Sequence, residues 1–130
     1  MVVGARNELV GSKNSVKGEL NGIKGDENMI CGDGNALLGD GNMFLGDYNV
    51  GKGNKNAILG SGNIFFGDDN KLEGEKLIVG GRKNLVIGGE SVVMGEGNKV
   101  KGERHVVDGD SNCVRGKENI VMGGENKVDG

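Results

Sequence analysis

The sequence predicts an all-β fold, a single parallel β-solenoid of the β-roll type that spans residues 1–130 as one repeat domain. Three observations predict it. Glycine occupies every seventh residue from Gly4 to Gly130 without exception. When each seven-residue unit is lettered a to g from its glycine, asparagine fills position d in 15 of 18 units and an apolar residue fills position f in 17 of 18. A repeat this strict indicates an array of stacked, nearly identical units.

A seven-residue period is also typical of coiled coils, but this composition excludes one. Each unit would place a glycine inside a helix at a cost of about 1 kcal/mol, together with asparagine, a poor helix former. Over all the units that cost reaches roughly 18 kcal/mol, more than the whole stability of a typical domain. Collagen is excluded as well, because it needs glycine at every third residue and abundant proline, and this chain has no proline.

Within each unit we expect a short strand at positions e to g and a turn at positions a to d. Side chains alternate between the two sides of a strand, so an inward f residue leaves e and g outward. Glycine at a and asparagine at d are residue types that tolerate turn and left-handed conformations. Two units then make one coil of 14 residues, and about nine coils stacked at ~4.8 Å give a rod roughly 40 Å long.

The exceptions to asparagine at d independently support a coil of two units. Leu77, Ser91 and His105 occur in every second unit, so they should stack on one edge of the roll. The remaining asparagines are expected to stack as ladders that hydrogen-bond to each other and to the turns. The apolar f residues should form a thin core. Gly51 is the one non-apolar f residue, and it suggests a local bulge or a slipped register.

The e and g residues of alternate units are expected to form two outward faces. One face is apolar along nearly its whole length and is the predicted interaction face, with Leu38, Ile64, Phe66, Ile78, Val92, Met94, Val106, Ile120 and Met122. The other is apolar in its first half and charged in its second, and its predicted second apolar patch consists of Met29, Met43, Leu45, Leu59, Leu85 and Ile87. Monomers rarely expose apolar patches above a few hundred Å², so the pattern predicts docking or self-association. In the alternative arrangement e and g lie inside and f outside, but the uniformity of f favours f as the core.

The composition argues against several classes of function. The net charge is −3, aromatic residues make up 3% of the chain, and no basic stripe is evident, so we expect no nucleic-acid partner. No apolar stretch is long enough to predict a membrane span. Serines lack a histidine partner and no helix follows a glycine cluster, so we expect no catalytic residue, no cofactor and no enzyme activity.

No metal site is expected either. The aspartates at b recur at the period of the repeat, at Asp26, Asp33, Asp40, Asp47 and Asp68. Calcium-binding rolls use a nine-residue repeat instead, so these carboxylates are interpreted as solvated turn residues. His105 stands at an asparagine position and is interpreted as a member of the ladder rather than as a metal ligand.

The cysteines and the chain ends lead to two further expectations. Cys31 and Cys113 would lie six coils apart, roughly 29 Å, which is too far for a disulfide. Unpaired cysteines and an N-terminus that enters the repeat at once, without a signal peptide, favour a reducing, cytoplasmic compartment. The repeat also runs through both ends without a cap, so we expect a protein partner or another copy of the chain to bind there or on the apolar faces.

The unit x-x-N-x-V-x-G, as in Asn98–Gly102 and Asn126–Gly130, resembles the repeat of the grass ice-recrystallisation-inhibition (antifreeze) proteins. The resemblance covers the whole chain. It implies a left-handed β-roll with two units in each coil and ice binding through flat faces that carry threonine and serine. In this chain the e and g positions hold Met, Leu, Ile, Phe, Lys and Glu, and threonine is absent.

A second resemblance is to the head repeats of trimeric autotransporter adhesins, on Ser91–Gly95 and Asn56–Gly60. It implies a trimer whose apolar strands face the threefold axis. The residues themselves favour a non-enzymatic structural or interaction module that presents a flat apolar face. Ice binding and an adhesin-like trimeric head are the two alternatives.

Overall fold

A computed structural model describes residues 1–130 and contains only strands and turns. Every three-residue strand covers positions e to g of its unit, as predicted, so the all-β fold is confirmed. The nineteen strands are β1 Val2–Val3, β2 Glu8–Val10, β3 Ser15–Lys17, β4 Gly22–Lys24, β5 Met29–Cys31, β6 Ala36–Leu38, β7 Met43–Leu45, β8 Val50–Lys52, β9 Ala57–Leu59, β10 Ile64–Phe66, β11 Lys71–Glu75, β12 Ile78–Arg82, β13 Leu85–Gly89, β14 Val92–Glu96, β15 Lys99–Glu103, β16 Val106–Asp108, β17 Cys113–Lys117, β18 Ile120–Met122 and β19 Lys127–Asp129.

The strands form two parallel sheets. Sheet A contains the ten odd-numbered strands in chain order, and sheet B contains the nine even-numbered strands. Each strand pairs with the strand two units later in a constant register, so that Val86 lies opposite Val100 and Ile64 opposite Ile78. The predicted coil of two units is therefore confirmed.

The core lies between the two sheets and is built from the f residues. Every apolar f residue from Val16 to Val121 is buried. The flanking e and g residues point outward: Ile64 is 36% exposed and Phe66 54%, whereas Val86 is 1% exposed. The alternative with e and g inside is therefore wrong.

Two ladders of buried asparagines run along the edges of the core. In a typical rung the backbone N–H of Asn28 donates to Oδ1 of Asn14 at 2.9 Å, and Nδ2 of Asn28 donates to the carbonyl oxygen of Gly39 at 2.8 Å. Each asparagine thus joins three successive coils. Because buried polar groups are costly without partners, the ladders supply the turn backbone with hydrogen bonds that the thin core cannot provide.

One ladder is complete and the other is interrupted, as the spacing of the exceptions predicted. Leu77, Ser91 and His105 stack in successive coils on one edge and are fully buried. The backbone N–H of His105 donates to Oγ of Ser91 at 3.0 Å, and the N–H of Asn119 donates to Nδ1 of His105 at 3.3 Å. Nε2 of His105 has no hydrogen-bond partner. His105 therefore occupies a ladder position.

The left-handed residues of the turns are at a and c, and not at d as expected. All eighteen c residues have φ between 51° and 70°, including bulky ones such as Tyr48 at 57°. No asparagine at d has a positive φ, and its side chain serves the ladder. The glycine column has a separate cause, because a Cβ placed on Gly39 would overlap the carbonyl oxygen of Gly53 in the next coil. Glycine at a is therefore required by the close approach of successive turns.

The predicted bulge at Gly51 is also wrong. Gly51 lies in unbroken register between Leu37 and Phe65. A Cβ on Gly51 would overlap the ring of Phe65, and that ring meets Phe44 edge-on with 5.4 Å between centroids. Phe65 thus fills the space that Gly51 leaves, and the core stays closely packed at this coil.

Candidate functional surfaces

The outward side of sheet B carries a regular column of β-branched side chains at position e. From Val50 to Ile120, six consecutive strands place valine or isoleucine there, each directly opposite the next in the parallel register. We call this set the valine–isoleucine column, and its members are Val50, Ile64, Ile78, Val92, Val106 and Ile120. Neighbouring members are separated by the strand spacing of about 4.8 Å. Because β-branched side chains are restricted at χ1, the column is an ordered array of methyl groups on the outward side of sheet B.

The neighbouring g column of sheet B is less regular. It contains the exposed apolar side chains Leu38, Phe66, Met94 and Met122, but also Lys52, Gly80 and Asp108. Phe66 and Met122 are 54% and 73% exposed. The nine residues of the predicted interaction face therefore all lie on sheet B, where they form one surface. Val50 lies on the same face, at position e of strand β8.

Sheet A is divided along its length. The first half presents exposed apolar side chains, and we call Met29, Met43, Leu45 and Leu59 the apolar half of sheet A. Leu85 and Ile87, the last two residues of the predicted second patch, lie on the same face but are half-buried. Cys31 and Cys113 are both free and lie six strands apart on this sheet, in agreement with the predicted separation.

The second half of sheet A carries a group of cations that the sequence analysis did not recognise as a cluster. Lys99, Lys101, Arg115 and Lys127 lie on the adjacent strands β15, β17 and β19, and all four are exposed. We call them the cationic patch. They belong to three alternate units between residues 95 and 129, so they come together only when the residues are grouped at the period of the coil.

The turn aspartates accept hydrogen bonds from the backbone. Each aspartate at b accepts a hydrogen bond from the b residue of the preceding coil; for example, the N–H of Ser12 donates to Oδ1 of Asp26 at 2.6 Å and the N–H of Glu19 donates to Asp33 at 2.7 Å. The backbone N–H and hydroxyl of Ser12 lower the pKa of Asp26. No group of three or more His, Cys, Asp or Glu residues is arranged to hold a metal ion.

Ion pairs connect the turns of successive coils. Six pairs are present, and every partner lies at position b or c, as in Lys13 with Glu27 at 2.7 Å and Lys76 with Glu90 at 3.5 Å. The pairing with Glu27 raises the pKa of Lys13. These exposed pairs each contribute little to stability.

The structure contains no helix of the length and apolar character that a membrane-spanning helix requires.

Comparisons with known proteins agree with this geometry. A family model described as grass antifreeze beta roll matches residues 46–130, about two thirds of the chain. The matched segment contains the whole valine–isoleucine column. No curated protein matches the chain.

Proposed function

Because this chain belongs to the grass antifreeze β-roll family, we propose that it has a non-enzymatic role and binds ice through the outward side of sheet B. The observation that carries the proposal is the valine–isoleucine column, which repeats without interruption over six strands within the matched segment. An ice surface is a repeating array, so a repeating array of side chains on a flat, rigid sheet is the protein surface best suited to match it.

Two physical features favour this column. Valine and isoleucine lose little conformational freedom on binding because their χ1 is already restricted in the sheet. Members such as Ile64, Ile78 and Val106 keep 36 to 40% of their surface exposed, so contact with a flat partner removes their methyl groups from liquid water. Threonine is absent, so in this proposal binding depends on shape and apolar contact and not on threonine hydroxyls.

The corresponding column of sheet A is a poorer candidate for ice. Its e positions include flexible methionines such as Met29 and Met43 and charged residues such as Lys71 and Lys99. Ordering a methionine or lysine side chain costs up to about 2 kcal/mol of rotamer freedom, and an ammonium group holds its own hydration shell. We therefore assign ice binding to sheet B alone.

The experiment is an ice-recrystallisation assay on the full chain, with two matched variants. Ile78→Lys places a charge in the middle of the valine–isoleucine column, and we expect it to abolish most of the inhibition. Leu85→Lys introduces the same charge at an e position of sheet A and should leave inhibition unchanged. Equal loss in both variants, or no inhibition by the unaltered chain, would contradict the assignment.

Self-association or partner docking through sheet B is the second candidate, and the exposed g residues favour it. Phe66, Met94 and Met122 project beside the column, and they are larger and less regular than an ice-matching surface requires. The face measures roughly 43 by 10 Å, so a face-to-face dimer would bury about 860 Å² in total, below the roughly 1,200 Å² of a stable interface. We therefore expect any dimer through this face to be weak.

Mass photometry and light scattering over a concentration series test this second candidate. We expect monomers at low concentration and a dimer only at high concentration. Phe66→Lys together with Met94→Lys should remove that dimer without changing the far-ultraviolet circular dichroism. A stable trimer at low concentration would instead favour the adhesin-like head, which remains a prediction.

A further inference from the structure

The cations on the outward sides of the strands differ in their surroundings from the ion-paired cations of the turns. Lysines and arginines that form ion pairs all lie on the turns, at positions b and c. Cations on the outward sides of the strands have no ion-pair partner. Four of these, Lys99, Lys101, Arg115 and Lys127, form the cationic patch on sheet A.

The register of sheet A brings the cationic patch together closely. Lys101 lies directly opposite Arg115, one strand spacing away, and Lys99 and Lys127 flank Cys113 on either side. Asp129, opposite Arg115, is the one acidic side chain on these outward positions of the three strands. Four cations and one anion give a local charge of +3, on a chain whose net charge is −3. Like charges placed directly opposite each other destabilise a sheet, so the patch has no evident role in folding.

The apolar half of sheet A continues the same flat surface. Met29, Met43, Leu45 and Leu59 are 40 to 49% exposed, and the strands that carry them pair in unbroken register with those of the cationic patch. A shallow depression of about 150 Å³ lies over strands β13 to β17, lined by Leu85, Ile87 and residues of the cationic patch. One side of the roll thus presents apolar and cationic groups in a single plane.

We propose that sheet A lies flat on an anionic lipid membrane. The cationic patch would contact lipid phosphates, and the apolar half of sheet A would insert its methionines and leucines between the head groups. Basic residues near an anionic leaflet and apolar side chains in the interface strengthen such binding together. This proposal is independent of ice binding, because sheet B faces away from sheet A across the core and would remain accessible.

Other occupants of this face fit the observations less well. A soluble polyanion would neutralise the cationic patch but leave the apolar half of sheet A in water. A single-stranded nucleic acid usually stacks its bases on aromatic side chains, and no outward position of sheet A carries one. A second copy turned end for end would press Lys101 and Arg115 against exposed leucines and methionines, and burying charges without partners is costly.

Vesicle flotation with the full chain tests the proposal. The unaltered protein should float with vesicles of phosphatidylcholine and phosphatidylglycerol, bind pure phosphatidylcholine much more weakly, and lose binding as salt is raised. Lys101→Gln with Arg115→Gln should lower the partition coefficient about 30-fold, from the usual contribution of two basic residues near an anionic membrane. Lys24→Gln with Lys52→Gln removes the same charge from sheet B and should change the partition coefficient less than about twofold.

A second pair of variants separates a membrane from a soluble polyanion. Leu45→Ser with Leu59→Ser should weaken vesicle binding at least fivefold but leave binding to dextran sulfate unchanged. If circular dichroism shows that this double variant is unfolded, Leu59→Ser alone is used in its place. Full vesicle binding by the leucine variant would overturn the proposal in favour of a polyanion site. Equal effects of the sheet A and sheet B charge variants, or no flotation by the unaltered protein, would also overturn it.

Discussion

The asparagine ladders should dominate the stability of this roll, and Asn56 allows that contribution to be measured. Asn56 lies in the middle of the complete ladder and is 1% exposed. Its Nδ2 donates to the carbonyl oxygen of Gly67 at 2.8 Å, and its Oδ1 accepts from the backbone N–H of Asn70 at 2.9 Å. Asn56→Ala removes both hydrogen bonds and leaves the part-buried carbonyl of Gly67 and the buried N–H of Asn70 unpaired.

The expected loss follows from these two groups. An unsatisfied buried polar group costs about 1–3 kcal/mol, so Asn56→Ala should reduce the free energy of unfolding by about 2–6 kcal/mol. That is a large share of the roughly 5–15 kcal/mol typical of a whole domain. Urea unfolding followed by far-ultraviolet circular dichroism gives the value directly.

Asn54→Ala provides the matched control within the same turn. Asn54 also accepts a backbone hydrogen bond, from the N–H of Asp40 at 2.8 Å, but that bond is exposed to water. Water can replace the lost acceptor, so we expect a loss of no more than about 1 kcal/mol. Similar losses in the two variants would refute the reasoning that burial makes the ladder essential.

Three further predictions concern the core, the turns and the ice-binding surface. Gly51→Ala should lower the midpoint of thermal unfolding, because the added methyl overlaps the ring of Phe65 and overpacking typically costs about 1–3 kcal/mol. Combining Gly51→Ala with Phe65→Leu should recover most of the lost stability. If the double variant recovered none of it, the overlap with Phe65 would not be the cause. The pKa of Asp26 is lower in the folded chain, so its contribution to stability is present above the unfolded pKa and lost as the pH falls through the folded pKa. Asp26→Asn keeps the acceptor for Ser12 and should reduce the loss of stability in acid titrations below about pH 4. An unchanged acid profile would contradict the role of this hydrogen bond. Val92→Thr keeps the shape of a column residue but replaces a methyl by a hydroxyl, so it should raise the concentration needed to inhibit ice recrystallisation, because apolar contact is lost; unchanged or stronger inhibition would contradict apolar contact as the basis of binding.

Several features were predictable from the sequence because the coil length is constant. Since every coil contains two complete units, residues at the same position of alternate units must lie in one column, so the period determined the sheets, the buried valines and the edge that carries Leu77, Ser91 and His105. The composition of each outward face followed in the same way. These conclusions needed no knowledge of the space between side chains.

The tertiary structure decided the features that depend on the neighbouring coil. The left-handed turn residue is at c because the inward amide of asparagine at d must reach the carbonyl of the next turn, as in Asn28 with Gly39. Gly51 causes no bulge, since a ring from the following coil fills its place. Asp26 and its equivalents bind the backbone of the coil before them. Local residue preferences do not determine such contacts, because each depends on how closely two coils approach and on which atoms then meet.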